Sequence, residues 1–403
     1  MAGLPATASQ ALAALQHQSF VRAKQWRYAE SIRPLEQGVA LSERYFGRLS
    51  ERTIWSLGFL SNTYGRFGER HLQLQVASDA WQRARQAFEA RRPDTTLTHV
   101  ERWYGDALQR NDRNAEAVTV LRRVLADQRR LDQNITPRLR NAMAPLALAL
   151  ARRGELAEAL PLMRQCVALE REQNPVESDD RLLYSLRLAT VLELAGHVDE
   201  TLQETDRADA IAARLGLPNP RAVIQRSLRR AGALAQRGQL DAAAALAGEL
   251  VPRAAAVDAD YLAQAETLAA RIERGQRQQA AARDRLLRVT RGAGFALLLP
   301  STRSAAHAEL GLAQLDLDAV DAAREPLQRC REAFVQAQIE ASVVVEPCLV
   351  GEARLALRDG RAQEAAALLD PLLRQWQELD AAPVRQAEVR HWLARAREAA
   401  VNR

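Results

Sequence analysis

A helix-ending turn returns along this chain at a nearly constant spacing. The stretch ARRGELAEALPL at 151–162 is typical of one helix that ends at Gly154 and another that begins three residues later. Its counterparts stand at turn positions Trp26, Gly68, Asp112, Gly154, Gly196, Gly238, Gly275, Asp318 and Gly360, which are separated by 42, 44, 42, 42, 42, 37, 43 and 42 residues. Self-similarity at a fixed period of this length predicts a repeat protein.

The residue type at the turn explains why a helix stops there. Glycine adopts the left-handed conformation that closes a helix without the steric cost of a Cβ atom, and Asp is a tolerable substitute. We therefore predict helix ends at Gly154, Gly196, Gly238 and Gly360. Trp26 suits this position least.

Small residues flank the turn on both sides and predict two helices that approach each other closely. Seven residues before the turn stand Ser19, Ser61, Gly105, Ala147, Ala189, Ala231, Leu268, Gly311 and Ala353. Five residues after it stand Ser31, Gln73, Ala117, Ala159, Thr201, Ala243, Ala280, Ala323 and Ala365. Each repeat is thus an antiparallel helical hairpin. The low aromatic content of 5% and the abundance of Ala, Leu, Arg, Glu and Gln indicate an all-α chain.

These positions resemble the tetratricopeptide repeat, and the resemblance covers roughly residues 10 to 380. The 42-residue period and the stretch SLGFLSNTYGRFG at 56–68 are similar to the kinesin-light-chain type. The resemblance implies that about nine hairpins in 1–380 stack into a right-handed superhelical solenoid. The helical spacing of Val389, Trp392 and Leu393 predicts a capping helix in 381–403. Leu268 and the 37-residue spacing depart from the pattern, and they predict a distorted hairpin around Gly275.

Charge and cysteine usage exclude several classes of protein. The net charge of +6 is spread over 403 residues, Lys24 is the only lysine, and no basic block occurs, so no nucleic-acid partner is expected. Cys166 and Cys330 each lie 12 residues after a turn position, which predicts small core residues. With Cys348 they are too few for a disulfide framework and indicate a reduced chain. No export signal or membrane-length apolar run is present, so we expect a cytoplasmic protein.

Catalytic and cofactor motifs are not found in the sequence. The lone lysine lacks the preceding glycine of a phosphate-binding loop, and RGAGF at 291–295 lacks the third glycine of a dinucleotide motif. We interpret the FALLL segment at 295–299 as a loop that packs against neighbouring helices. The six histidines show no metal-ligand spacing, and neither HExxH nor GxSxG occurs. We therefore predict no enzyme activity, no cofactor and no metal.

The tetratricopeptide resemblance implies that the first helix of each hairpin lines a groove. Family contact positions lie about two, three, six, ten and thirteen residues before the turn. The early repeats place mostly polar residues there: Trp55, Asn62, Arg66, His99, Arg102, Asp106, Arg110, Asn141 and Arg152. Later repeats place apolar residues there: Leu183, Leu186, Leu194, Leu228, Leu262, Leu312, Leu315, Val350 and Leu357.

Six residues form the predicted partner-binding groove: Asn62, Arg66, Arg102, Arg110, Asn141 and Arg152. Guanidinium groups and an amide suit a protein or peptide partner with an acidic or phosphorylated segment. The alternative is that these arginines are solvated or paired within the chain. The first functional hypothesis is thus a non-catalytic binding scaffold. The second is a sensory or autoinhibitory module of a bacterial signalling system, acting on a separate kinase or transcription regulator.

Overall fold

The computed structural model describes residues 4–25, 27–131, 137–174, 178–216, 220–336, 343–380 and 383–401. All regular structure in these ranges is helical, and no strand occurs in them. The chain divides into two compact units, residues 1–149 and 150–403. None of the described helices combines the length and apolar character that crossing a bilayer requires.

The first unit consists of helical hairpins. Its helices are α1 (Leu4–Lys24), α2 (Tyr28–Phe46), α3 (Glu51–Phe67), α4 (Arg70–Phe88), α5 (Thr95–Arg110), α6 (Asn114–Leu131) and most of α7 (Pro137–Arg152), of which the last three residues belong to the second unit. Helix α1 packs on α2, α3 on α4, and α5 on α6. The first helices α3 and α5 of adjacent hairpins also contact each other, so they form one continuous layer.

The second unit repeats this arrangement. Its helices are α8 (Leu156–Gln173), α9 (Asp179–Leu194), α10 (Val198–Leu215), α11 (Pro220–Gln236), α12 (Leu240–Ala255), α13 (Ala259–Gly275), α14 (Gln279–Arg291), α15 (Pro300–Asp316), α16 (Val320–Gln336), α17 (Glu346–Arg358), α18 (Ala362–Glu378) and α19 (Pro383–Val401). The first helices α9, α11, α13, α15 and α17 contact one another in succession, and α19 packs on α17 and α18. The assignment of 1–380 to one array and 381–403 to a cap stays a prediction.

The predicted turn chemistry is confirmed at seven positions. Residues Gly68, Asp112, Gly154, Gly196, Gly238, Asp318 and Gly360 all adopt positive φ angles, between 59° and 100°. Asp112 and Asp318 show that Asp can fill the left-handed position when the repeat requires it. Trp26 lies outside the described residues.

The turn assigned to Gly275 is wrong by two residues. Gly275 is the last residue of α13, and the left-handed residue is Arg277, with φ 63°. The small flanking residues shift accordingly, because Ala270 and Ala282 are fully buried whereas Ala280 is exposed. Glycine at 275 misled the assignment because Arg277 adopts a conformation that non-glycine residues seldom take. The irregularity of this hairpin is its short second helix α14, which has 13 residues.

The predicted packing roles of small residues agree with their burial. Cys166 and Cys330 are buried as expected. Ala189, seven residues before the Gly196 turn, is inaccessible to solvent. The FALLL segment packs only in part: the Phe295 ring meets His307 at a centroid distance of 5.1 Å, but Leu297 is 81% exposed.

Candidate functional site

Four aromatic side chains meet on the layer formed by α3 and α5. We call Trp55, Phe59, His99 and Trp103 the aromatic patch. The Trp55 ring lies 5.0 Å from His99 and 5.3 Å from Trp103, and the Phe59 ring lies 5.7 Å from Trp103, all between centroids. Rings at these separations stabilise one another beyond the area they bury. The patch therefore joins two adjacent repeats in one surface.

A glycine on α3 allows the Trp103 ring to lie against that helix. A Cβ atom at Gly58 would stand 2.0 Å from a Trp103 ring atom, so no larger residue fits without displacing the ring. Polar contacts fix the neighbouring indole, because Trp55 Nε1 donates to Thr96 Oγ1 at 3.3 Å. The Thr96 hydroxyl in turn donates to Glu51 Oε1 at 2.7 Å. These contacts hold the patch in a defined shape.

The aromatic patch is partly open to solvent. Phe59 is 40% exposed, Trp55 and His99 are half-buried, and Trp103 is 7% exposed. The exposed Phe59 ring is thus supported by one buried ring and two half-buried rings. The patch presents part of its apolar surface to solvent.

One of the predicted site residues contacts this patch, and two follow it along α3. Arg66, in the last turn of α3, is exposed and makes no hydrogen bond or ion pair to any described residue. The Arg102 guanidinium lies over the Trp103 ring, 5.4 Å from its centroid. Asn62 is half-buried on α3, one helical turn before Arg66. Asn62 and Arg66 thus follow Phe59 by three and seven residues on one face of α3.

Arg110 differs from Arg66 because it is paired within the chain. Its Nε donates to Asp106 Oδ2 at 2.8 Å, and its Nη1 donates to the Gly65 carbonyl at 3.4 Å. Asp106 also accepts a bond from Gln73 Nε2 at 3.4 Å. For Arg110 the alternative given above applies, because its guanidinium group is paired within the chain.

The remaining predicted residues, Asn141 and Arg152, are half-buried and interact within the chain. Asn141 belongs to the first unit and Arg152 to the second. A single concavity that contains Arg66, Arg102, Arg110 and Arg152 therefore stays a prediction.

The apolar groove predicted for the later repeats is largely wrong. Five of its nine residues are buried in the core: Leu186, Leu228, Leu312, Leu315 and Val350. The contact positions taken from the resemblance turn inward here because these four leucines and one valine fill the space between packed helices. An apolar residue at a groove position in an all-helical repeat is therefore more often core than surface.

A chain of ion pairs occupies the first-helix layer of the second unit instead. Glu309 of α15 accepts bonds of 2.6 Å from both Arg271 and Arg274 of α13. Arg274 also bonds Asp316 at 2.9 Å, and Asp316 accepts a bond of 2.7 Å from Arg354 of α17. We call these five residues the ion-pair chain. Burial alone would raise the pKa of Glu309, but Arg271 and Arg274 lower it overall.

Two members of the aromatic patch were not predicted from the sequence. Phe59 and Trp103 each stand nine residues before a turn position, Gly68 and Asp112, which is not among the family contact positions. The signal was present, since the same repeat position carries an aromatic residue in two adjacent repeats. Among the described residues, no group of His, Cys, Asp or Glu could hold a metal ion.

Comparison with known proteins rests on structure. No protein-family model matches the chain, and no curated protein matches it in sequence. A Rap protein complexed with Competence and Sporulation Factor superposes with a TM-score of 0.60 at 12% identity, covering 87% of this chain and 99% of that one. The fold is that of tetratricopeptide-repeat proteins. NprR in complex with its cognate peptide NprX has this fold too, with a TM-score of 0.53 at 12% identity over 77% of this chain and 88% of that one.

A third tetratricopeptide-like structure is the putative kinesin light chain repeat protein of Podosopora anserina. It is 21% identical and covers 51% of this chain and 96% of that one, with a TM-score of 0.38. At this score it carries no functional argument. Identities this low show the fold alone.

Proposed function

We propose that this tetratricopeptide-like chain is a non-catalytic scaffold that binds a peptide on the α3–α5 layer. The observation that carries the proposal is the half-open aromatic patch, with Arg66 two helical turns further along the same face of α3. Arg66 is exposed and has no partner among the described residues, so its guanidinium group is available to a ligand.

The chemistry of this surface favours a peptide that carries both an apolar and an acidic side chain. Phe59 and Trp55 offer ring faces to the apolar side chain. Arg66 can pair with a carboxylate or phosphate through two parallel N–H bonds. The Asn62 side chain has an NH₂ donor and a carbonyl acceptor. It can therefore bond both the C=O and the N–H group of a peptide backbone. An acidic or phosphorylated segment next to an aromatic or aliphatic residue fits this set.

Two structural relatives support a peptide as the partner class. The Rap protein was solved with Competence and Sporulation Factor, and NprR was solved with the peptide NprX. Both share the fold at TM-scores above 0.5. A sensory or autoinhibitory module would also bind its partner through such a surface. The scaffold hypothesis and the signalling hypothesis therefore share this binding site and differ only in the function of the partner.

A phage-displayed library of random peptides tests the proposal. Enriched peptides are measured by fluorescence polarisation against the parent chain, Phe59→Ala and Arg66→Gln. We expect each variant to weaken binding about tenfold, which corresponds to about 1.4 kcal/mol. Arg164→Gln is the control, because Arg164 pairs with Glu200 at 2.7 Å in the second unit. Enriched peptides that bind Phe59→Ala and Arg66→Gln as tightly as the parent would contradict the proposal.

A further inference from the structure

An open cleft in the second unit is lined by four arginines. Arg171 comes from the last turn of α8, Arg181 from the start of α9, and Arg207 and Arg214 from the second half of α10. The hydroxyl-bearing Ser185 lies on the same wall. Three helices from two adjacent hairpins thus direct cationic side chains to one place.

Acidic residues compensate only part of this charge. Arg171 Nη2 donates to Glu204 Oε1 at 3.3 Å, and Arg207 donates to the same oxygen. Arg181 donates through Nη2 to the Asn174 carbonyl, which carries no net charge. Glu204 is therefore the one carboxylate that the described contacts place on Arg171, Arg181 and Arg207, and a single negative charge cannot neutralise these three.

Two polar atoms near the cleft lack hydrogen-bond partners among the described residues. One is the buried Nε of Arg181, and the other is Oε2 of Glu204, whose side chain is almost fully buried. The described residues thus supply no further acceptor that would offset the charge of Arg181.

The size of the cleft restricts the ligand. Its volume is about 280 Å³, which is slightly below the ~300–1,000 Å³ of typical small-molecule sites. The space suits a small anionic group more than a large metabolite. Arginine forks match the oxygens of a phosphate in paired geometry, and several of them together favour a dianion over a single carboxylate.

We infer that this cleft binds a phosphate monoester, held by Arg171, Arg181, Arg207 and Arg214 with Ser185 as a further donor. The group belongs either to a free small phosphorylated metabolite or to a phosphorylated side chain of a partner protein. The site lies in the second unit and uses none of the residues of the peptide surface, so it does not rest on the proposed function.

Isothermal titration calorimetry with the full chain tests this site. The probes are inorganic phosphate, O-phosphoserine and a short peptide that contains phosphoserine, all at constant ionic strength. Serine and the unphosphorylated peptide are the controls for the last two probes. We expect saturable one-to-one binding of the phosphorylated probes and at least a tenfold loss in Arg181→Gln/Arg214→Gln. The single variant Arg214→Gln changes an exposed residue at a helix end, so we expect it to fold like the parent. It should also bind the phosphorylated probes more weakly than the parent.

The matched control removes two arginines of the second unit that lie elsewhere. Arg253 and Arg329 are each more than half exposed, so Arg253→Gln/Arg329→Gln has the same net charge as the test variant. Retained affinity in this control supports a specific site. Equal losses in both double variants, or no saturable binding of any phosphorylated probe to the parent, would overturn the inference.

The probes also distinguish the two sources of the phosphate. Peptide binding more than tenfold tighter than that of O-phosphoserine assigns the group to a partner protein. Equal affinities, or tighter binding of the amino acid, assign it to a small metabolite.

Discussion

The same repeat position has opposite roles in the two units. Nine residues before the turn, the first unit places Phe59 and Trp103, which build an aromatic surface that remains partly open. Nine residues before the Gly238 and Asp318 turns, the second unit places Arg229 and Glu309, which form internal ion pairs. The hairpin scaffold is shared, and only the residues displayed on it differ. A repeat fold can therefore hold a partly open aromatic surface in one region and internal ion pairs in another.

This difference shows that charge at a groove position is a poor guide to binding. Arg274 and Arg354 are as cationic as Arg66, but each already pairs with Asp316. Arg66 is exposed and has no such partner among the described residues. A groove arginine is paired within the chain when a carboxylate of its own or a neighbouring first helix lies within reach, as Asp106 does for Arg110 and Asp316 does for Arg274.

The largest expected effect concerns the ion-pair chain. Glu309→Ala removes the carboxylate that Arg271 and Arg274 share, which leaves two guanidinium groups without their main partner. We expect the free energy of unfolding to fall by about 3–5 kcal/mol. Urea unfolding followed by circular dichroism measures this. Arg66→Ala, the matched change in the first unit, should alter stability by less than about 0.5 kcal/mol, and similar losses in both variants would refute the distinction.

The second prediction tests what the two units share. Ala189→Arg and Ser61→Arg place a long charged side chain at the position seven residues before the turn, where both parent residues are inaccessible to solvent. Overpacking and an unpaired buried charge should together lower stability by about 3 kcal/mol in each case. Thermal melts provide the comparison. A variant that melts like the parent would show that its position is not a helix–helix contact.

A third prediction concerns pH and Glu346, a first-helix carboxylate that is paired less completely than Glu309. Burial is the main cause that raises the pKa of Glu346 from 4.5 to about 7, and the nearby carboxylates Glu388 and Glu309 raise it further. Arg385, whose Nη1 lies 3.2 Å from Glu346 Oε2, and Arg271 lower this pKa, but by less. Between these pH values the folded chain binds more protons than the unfolded chain, so stability should fall as pH rises through this window.

Glu346→Gln tests this pH dependence because it removes the titrating group and retains the shape of the side chain. The parent should lose about 1–3 kcal/mol more than the variant between pH 4.5 and 7.5. Urea unfolding at several pH values measures the difference. Parallel stability curves for the two chains would show that the Glu346 carboxyl titrates outside this range.

The smallest expected effect is that of surface pairs. Arg164 and Glu200 form a salt bridge of 2.7 Å with both side chains more than two-fifths exposed. Arg164→Gln should therefore change stability by no more than about 1 kcal/mol, and less at high salt. Thermal melts at low and high salt check this. A salt-independent loss of several kcal/mol would place this pair in the same class as the ion-pair chain.

The sequence predicted the helices and turns well because helix ends depend on local backbone chemistry. Gly154 and Asp318 adopt the left-handed conformation that their residue types favour. Arg277 escaped prediction because its left-handed conformation is imposed by the repeat and not by its own preference. The site was predicted less completely. Arg66 and Arg110 have the same residue type at the same repeat position, and only the structure shows that Asp106 pairs with one of them.

Photo-cross-linking at position 59 tests the central claim most directly. Phe59 is replaced by a photoreactive phenylalanine analogue, and the same analogue replaces Val335, an exposed apolar residue of α16 in the second unit. Each full-length protein is irradiated with a peptide enriched from the random library, and the cross-linked products are identified by mass spectrometry. The account predicts cross-linked peptide at position 59 and none above background at 335. Equal cross-linking at the two positions, or cross-linking at 335 alone, would contradict it.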